Sequence, residues 1–154
     1  MQVISKFFLA LSFFLVLSCT DNDDKEIQTE NTELAINNAN ISGKWYLKGA
    51  SVNGGTFSSH QHDCSTNKDY QEFHLNGELD FAGYDSSCVI SDTETSLWSL
   101  SNSSTLNVSS LPGAPFSYTY SYEIVSLTSE ELILKQTYND PGGQVVEISY
   151  YTRN

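Results

Sequence analysis

The chain has 154 residues, enough for one domain, and carries 7 Lys plus Arg against 19 Asp plus Glu, a net charge of −12. Such a chain repels nucleic acid and anionic membrane surfaces, which excludes DNA, RNA and heparin-like partners. At 39% apolar residues, with nine Tyr and only three Pro, it is neither collagen-like nor disordered throughout nor a coiled coil.

Residues 1–18 begin with a single Lys (Lys6) ahead of two apolar runs, Phe7 to Leu11 and Phe13 to Leu17. A short charged start before an apolar stretch too brief to cross a bilayer reads as a secretory signal. The residues that follow it, Leu15-Val16-Leu17-Ser18-Cys19, resemble the lipobox of bacterial lipoproteins. That resemblance implies cleavage after Ser18 and acylation of Cys19, an anchor that is effectively permanent once it carries more than one chain. Loss of Lys6 with the signal moves the net charge from −12 to −13. Residues 19–40 hold six acids, one Lys and no aromatic residue, so they cannot bury enough surface to offset chain entropy and read as a solvated tether. Their Asp-rich start is similar to surface-export signals of Bacteroidota lipoproteins; it also reads as a plain spacer. The expected location is therefore the outer membrane, held through lipid alone and, on the export-signal reading, exposed at the cell surface.

From residue 41 onward the pattern has period 2 with turn punctuation. Candidate strands are 43–50, 68–75, 79–84, 86–91, 95–101, 104–109, 117–127, 130–138 and 144–152. Turn signals separate them at Asn53-Gly54-Gly55, Asn76-Gly77, Leu111-Pro112-Gly113 and Asn139 to Gly143. Closely spaced strands with no helix between them predict an all-β fold, an antiparallel barrel or, as the runner-up, a β-sandwich. At Asn76-Gly77 a two-residue turn sets Phe73 opposite Asp80. A three-residue loop, Leu75 to Gly77, instead pairs Phe73 with Leu79 and Glu72 with Asp80, and gives Gly77 the left-handed position. The second register is preferred. Cys64 and Cys88 fall opposite each other in that register, and an even pair in an exported chain predicts a disulfide. Later, Tyr118, Tyr120, Tyr122 and Ile124 share one strand face, a row able to line either a core or a ligand wall.

No nucleophile elbow, His-Glu-x-x-His, Walker loop or dinucleotide fingerprint is present, so no catalytic residue, enzyme activity or cofactor is assigned. The nearest metal candidates are His60 and His62, which share a face if their segment is extended. A structural zinc site needs four fixed ligands, so no metal set is assigned.

The Gly43-x-Trp45 start, Cys64, Phe73-x-x-Asn76-Gly77, Cys88, the Trp98 strand with Leu106 beyond it, and Ile124 to Leu132 together resemble the lipocalin-like domains of Bacteroidota lipoproteins. The resemblance covers about residues 41–152 and implies an eight-stranded up-and-down barrel over a 41–154 domain. It further implies that Trp45 plugs one barrel end beneath a basic side chain. Arg153, the only Arg in the chain, is the candidate. It also implies non-catalytic binding of a small apolar molecule in the barrel mouth, with Tyr118, Tyr120, Tyr122, Trp98 and Tyr138 as candidate lining. The alternative is a barrel filled by its own side chains that acts through its surface. The folded part carries 13 acids against 5 bases, which disfavours an anionic ligand unless Lys44, Lys48 or Lys135 faces the mouth.

Overall fold

A computed structural model describes residues 32–154; the signal segment, Cys19 and most of the expected tether lie outside the described residues. A four-residue helix, α1 (Asn38–Ile41), leads into strands β1 (Gly43–Val52), β2 (Ser58–Ser59), β3 (Tyr70–Phe73), β4 (Glu78–Tyr84), β5 (Ile90–Ser101), β6 (Thr105–Ser110), β7 (Thr119–Leu127), β8 (Glu131–Asp140) and β9 (Gly143–Thr152). Each long strand pairs antiparallel with the next, and β9 returns to pair with β1 from Tyr46↔Thr152 to Val52↔Glu147. That closure makes an eight-stranded barrel and excludes the sandwich. The two-residue β2 is an extra strip on the β1 edge at Gly49 and Ala50, beyond the point where β3 stops pairing.

The β3–β4 hairpin has the register expected from the three-residue loop, with Phe73↔Leu79 and Glu72↔Asp80. The His74 amide donates to the Glu78 carbonyl at 2.8 Å, and Gly77 sits at φ 89°. Cys64 and Cys88 are bonded, their Cα atoms 4.9 Å apart. Strand pairing itself ends at Tyr70↔Ala82, so the bond joins two loops beyond the ladder rather than extending it.

Two expectations are corrected. The 86–91 segment is no separate strand. The Asp85 carboxylate accepts the amides of Ser87 and Val89 at 2.9 and 3.1 Å, forming a turn, and β5 then runs unbroken to Ser101. With no Gly or Pro to interrupt it, the run keeps its alternation. The folded part also begins before residue 41. Glu33 bridges to Thr128, the Leu34 amide donates to the Leu127 carbonyl at 2.7 Å, and Leu34 and Ile36 pack against the core. Two apolar residues suffice to dock an otherwise polar segment. Asn37 then caps α1 by accepting the Asn40 amide at 2.9 Å.

The buried core gathers at one end of the barrel: Ile41, Trp45, Phe73, Leu79, Trp98, Leu106, Ile124, Leu127, Leu132 and Leu134. Trp45 is fully buried and donates its indole N–H to the Ile41 carbonyl at 2.6 Å. Over it lies Arg153, whose guanidinium carbon is 4.0 Å from the indole centroid. The same guanidinium donates to the Ser42 and Asn40 carbonyls at 3.0 and 2.7 Å. Gly43 makes this approach possible. A Cβ there would stand 2.7 Å from Arg153 Nη1, and its φ of +112° disfavours any other residue.

Tyr122 and Tyr151 pack against this core. Burial, helped by the neighbouring Tyr120 and Glu147, pushes the Tyr122 phenol up to about 12. Tyr151 is pushed up further, again chiefly by burial. Both folded-state values lie above the ordinary value of 10, so this contribution to stability is fully present below pH 10 and is lost as pH rises through about 12. The unfolding free energy should hold level to pH 9 or so on this account and fall between about pH 10 and 12. In a phenolate absorbance titration of the folded protein, Tyr122 and Tyr151 should be the last of the nine tyrosines to ionise. A single native transition near 10, the same as in denaturant, would contradict the assignment.

Candidate functional site

Register settles which side chains point into the barrel. In β5 the inward row is Glu94, Ser96 and Trp98, opposite Phe81 and Leu79 of β4 and Ser110 and Val108 of β6. In β7 it is Tyr120, Tyr122 and Ile124; in β9 it is Val145, Glu147, Ser149 and Tyr151, facing Tyr138, Gln136, Leu134 and Leu132 of β8. Away from the Trp45 end these rows change from aliphatic to polar. The mouth half of the barrel is therefore lined by tyrosines, glutamines, serines and the carboxylates Asp92, Glu94 and Glu147, with Phe81, Val108 and Val145 among them.

Two cavities occupy this half and share Gln71 and Phe81 as a partition. One, of about 350 Å³, is bounded by Leu79, Glu94, Ser96, Val108, Tyr118 and Tyr120. The other, of about 220 Å³, lies between Trp45, Leu47 and Tyr151, closed on the outside by His60, Asp69 and Tyr70. Tyr118 and Tyr120 stack, their ring centroids 5.1 Å apart. The Tyr118 hydroxyl donates a short hydrogen bond to Glu94 Oε1, and partial burial together with that carboxylate raises the phenol above its ordinary value. On β9, Glu147 Oε1 accepts the Ser149 hydroxyl at 3.2 Å.

Among the described residues no Lys or Arg lines either cavity. Lys44 pairs with Glu72, Lys48 with Glu131 and Lys135 with Glu123, all on the outside of the barrel. Lys68 lies over the Tyr46 ring, and Arg153 over Trp45. Among the described residues neither Glu94 nor Glu147 has a Lys or Arg within ion-pair distance.

The structure divides the candidate lining residues. Tyr118 and Tyr120 bound the larger cavity, and Tyr122 packs on the core beneath them. Trp98 is no part of the wall: its indole is buried edge-on against Phe73 and donates to the His74 carbonyl at 2.9 Å, because its strand position falls below the cavity floor. Tyr138 points inward but lies near the tip of the β8–β9 hairpin, 39% exposed, and bounds neither cavity. Glu94, Glu147, Gln71 and Phe81 escaped the sequence reading. Glu147 shares the face of Val145, Ser149 and Tyr151, which was visible as one side of the β9 alternation. Only closure of the barrel shows which side is inner. The outward side, Val146, Ile148 and Tyr150, is apolar too, and Phe57 covers Tyr150 with ring centroids 5.3 Å apart.

A second cluster sits outside the barrel wall, where β1 and β3 separate. His60 Nε2 and His62 Nδ1 lie 3.4 and 3.3 Å from the same oxygen, Asp69 Oδ2. Asp69 Oδ1 accepts the Tyr84 amide at 2.8 Å. Burial acts to raise the Asp69 carboxyl, but the Tyr84 amide and the two imidazoles outweigh it and hold the group below its ordinary value. Asp69 was not singled out in the sequence, because nothing in its spacing from the histidines predicts that the chain returns.

The lipocalin-like domain family matches residues 41–134 of the chain. In fold, the chain is similar to a lipocalin-like protein from Bacteroides uniformis: TM-score 0.54, 14% identity, covering 75% of this chain and 99% of that one. A protein from Bacteroides eggerthii gives a TM-score of 0.53 at 12% identity, covering 73% of this chain and 98% of that one. No curated protein matches the sequence. The family match spans Trp45, both cysteines, the β3–β4 hairpin and the β7–β8 turn, and the closed barrel agrees with it: the chain belongs to the lipocalin-like domain family.

Proposed function

We propose that the protein is an exported, lipid-anchored, non-catalytic binding protein whose barrel mouth takes a neutral or cationic small molecule with an apolar body. The observation that carries this reading is the half-lined interior: Glu94 and Glu147 face inward among tyrosines with no cation beside them. The apolar parts of Phe81, Val108, Tyr118 and Tyr120 supply contact area, while the hydroxyls and carboxylates orient polar or positive groups. The purely apolar ligand expected from the family resemblance is thereby narrowed. A fatty-acid carboxylate in the larger cavity would meet Glu94 and no counter-ion, with Glu147 adding negative charge to the same interior. The lipobox around Cys19 supports the lipid anchor, and an outer-membrane location is part of the same proposal.

A fluorescence titration with an amine, an alcohol and a carboxylic acid sharing one medium-length hydrocarbon tail tests the site. The amine and the alcohol should saturate below about millimolar, and the carboxylic acid should not. A double Glu94→Gln/Glu147→Gln variant should weaken the amine by about tenfold, the equivalent of about 1.4 kcal/mol, and leave the alcohol unchanged. If none of the three saturates, or the acid binds best, the reading fails and a barrel acting through its surface replaces it. For the anchor, Cys19→Ala should release the protein from the membrane fraction of its own cells; full retention would refute lipidation at Cys19.

A further inference from the structure

We infer that His60, His62 and Asp69 form a binding site for one first-row divalent transition-metal ion. The three ligand atoms, His60 Nε2, His62 Nδ1 and Asp69 Oδ2, lie within 4.8 Å of one another. Ligands about 2.0–2.1 Å from a tetrahedral zinc ion stand roughly 3.3–3.4 Å apart. Two of the three separations here are 3.4 and 3.3 Å. The third, between the two imidazole nitrogens, is at most 4.8 Å.

His62 Nδ1 lies 3.1 Å from the Asp69 backbone nitrogen and 3.3 Å from Asp69 Oδ2. In the tautomer with its proton on Nε2, that nitrogen accepts the Asp69 amide and presents a lone pair beside an ionised carboxylate oxygen, which is an acceptor only. A metal ion between the three ligand atoms relieves that contact, taking over the lone pair that the Asp69 amide otherwise holds.

The chain holds these residues from three independent sides. The His60 amide donates to the Lys48 carbonyl of β1 at 2.9 Å. Cys64, two residues beyond His62, is tied to Cys88. Asp69 abuts β3, and its second oxygen is occupied by the Tyr84 amide. The side chains are 33%, 15% and 20% exposed, wet enough to exchange an ion and sheltered enough to keep it. The groove outside His60 and His62 carries Glu130 and Glu131 together with Lys48 and Lys68, so its charges balance and the attraction for a cation comes from the three ligands themselves. Two imidazoles and one carboxylate suit zinc, cobalt, nickel or copper and not calcium or magnesium, which take all-oxygen shells. Three protein ligands leave a coordination position open. His60 and Asp69 also border the smaller cavity, so the cluster adjoins the barrel interior. The inference stands whether or not the mouth binds an organic ligand.

The test uses the untagged full-length protein, stripped with chelator and then titrated with Zn²⁺ by calorimetry and with Co²⁺ by visible absorption. One ion per chain should bind. His60→Ala and His62→Ala should each weaken Zn²⁺ by tenfold or more, with circular dichroism and melting of the metal-free protein unchanged. Asp69→Asn should do the same, but Asp69 also holds the Tyr84 amide, so the histidine variants carry the decision alone if it fails to fold. Absence of saturation up to roughly millimolar Zn²⁺, or binding that survives the double His60→Ala/His62→Ala variant, would overturn the inference.

Discussion

A guanidinium laid on an indole closes this barrel. Arg153, beyond the last strand, covers Trp45 on the first and reaches past it to the carbonyls of Asn40 and Ser42. The stacking is worth roughly 0.5–2 kcal/mol and charged hydrogen bonds about 1.5–3 kcal/mol apiece in general terms. Their position matters more than their size. They join the two ends of the sheet at the point where β1 must meet β9, and they tie down the turn that brings α1 and Ile41 beneath the indole. Gly43 follows from the same contact, since any Cβ there would collide with the arginine.

Once that end is closed, the strand periods decide the rest. Inward rows that begin aliphatic or aromatic beside Trp45 turn polar toward the mouth: Phe73 gives way to Gln71, Trp98 to Ser96 and Glu94, Ile124 to the tyrosines, Tyr151 to Ser149 and Glu147. A small barrel packed along its whole length has no room for a guest. Here the aliphatic core stops about halfway, and the cavities lie above it. The separation of β1 from β3 past Tyr46↔Tyr70 has a second consequence. It leaves a gap that the 60–69 loop fills, which brings His60, His62 and Asp69 together over the smaller cavity.

Much of the scaffold was readable from local pattern. The β3–β4 register followed from pairing arithmetic around Gly77, and the cysteine pair followed from count and compartment, although the ladder does not in fact reach it. Trp45 and Arg153 were marked by family resemblance and by the rarity of Arg. What stayed hidden depended on closure. Alternation separates the faces of β9 but cannot say which is inside, and here both carry apolar residues, the outer one covered by Phe57. For that reason Glu147 was missed and Tyr138 was given a role that its place at a hairpin tip denies it. Trp98 was misplaced along the barrel axis rather than across it: the face was right and the height was wrong. Asp69 required knowledge of where the chain between β2 and β3 turns back against the two histidines.

The central claim is a barrel packed at one end and open at the other, and a pair of truncations on neighbouring inward positions tests it most directly. Leu106 is fully buried, while Tyr120, one strand over and nearer the mouth, is 46% exposed. Denaturant unfolding of Leu106→Ala should show a loss of about 2–5 kcal/mol, the usual cost of a cavity in a packed core. Tyr120→Ala should cost under about 1 kcal/mol, since little is packed around it to collapse. Comparable losses of about 3 kcal/mol or more at both sites, as expected when a buried aromatic is removed, would mean that the interior is filled throughout and would contradict the account.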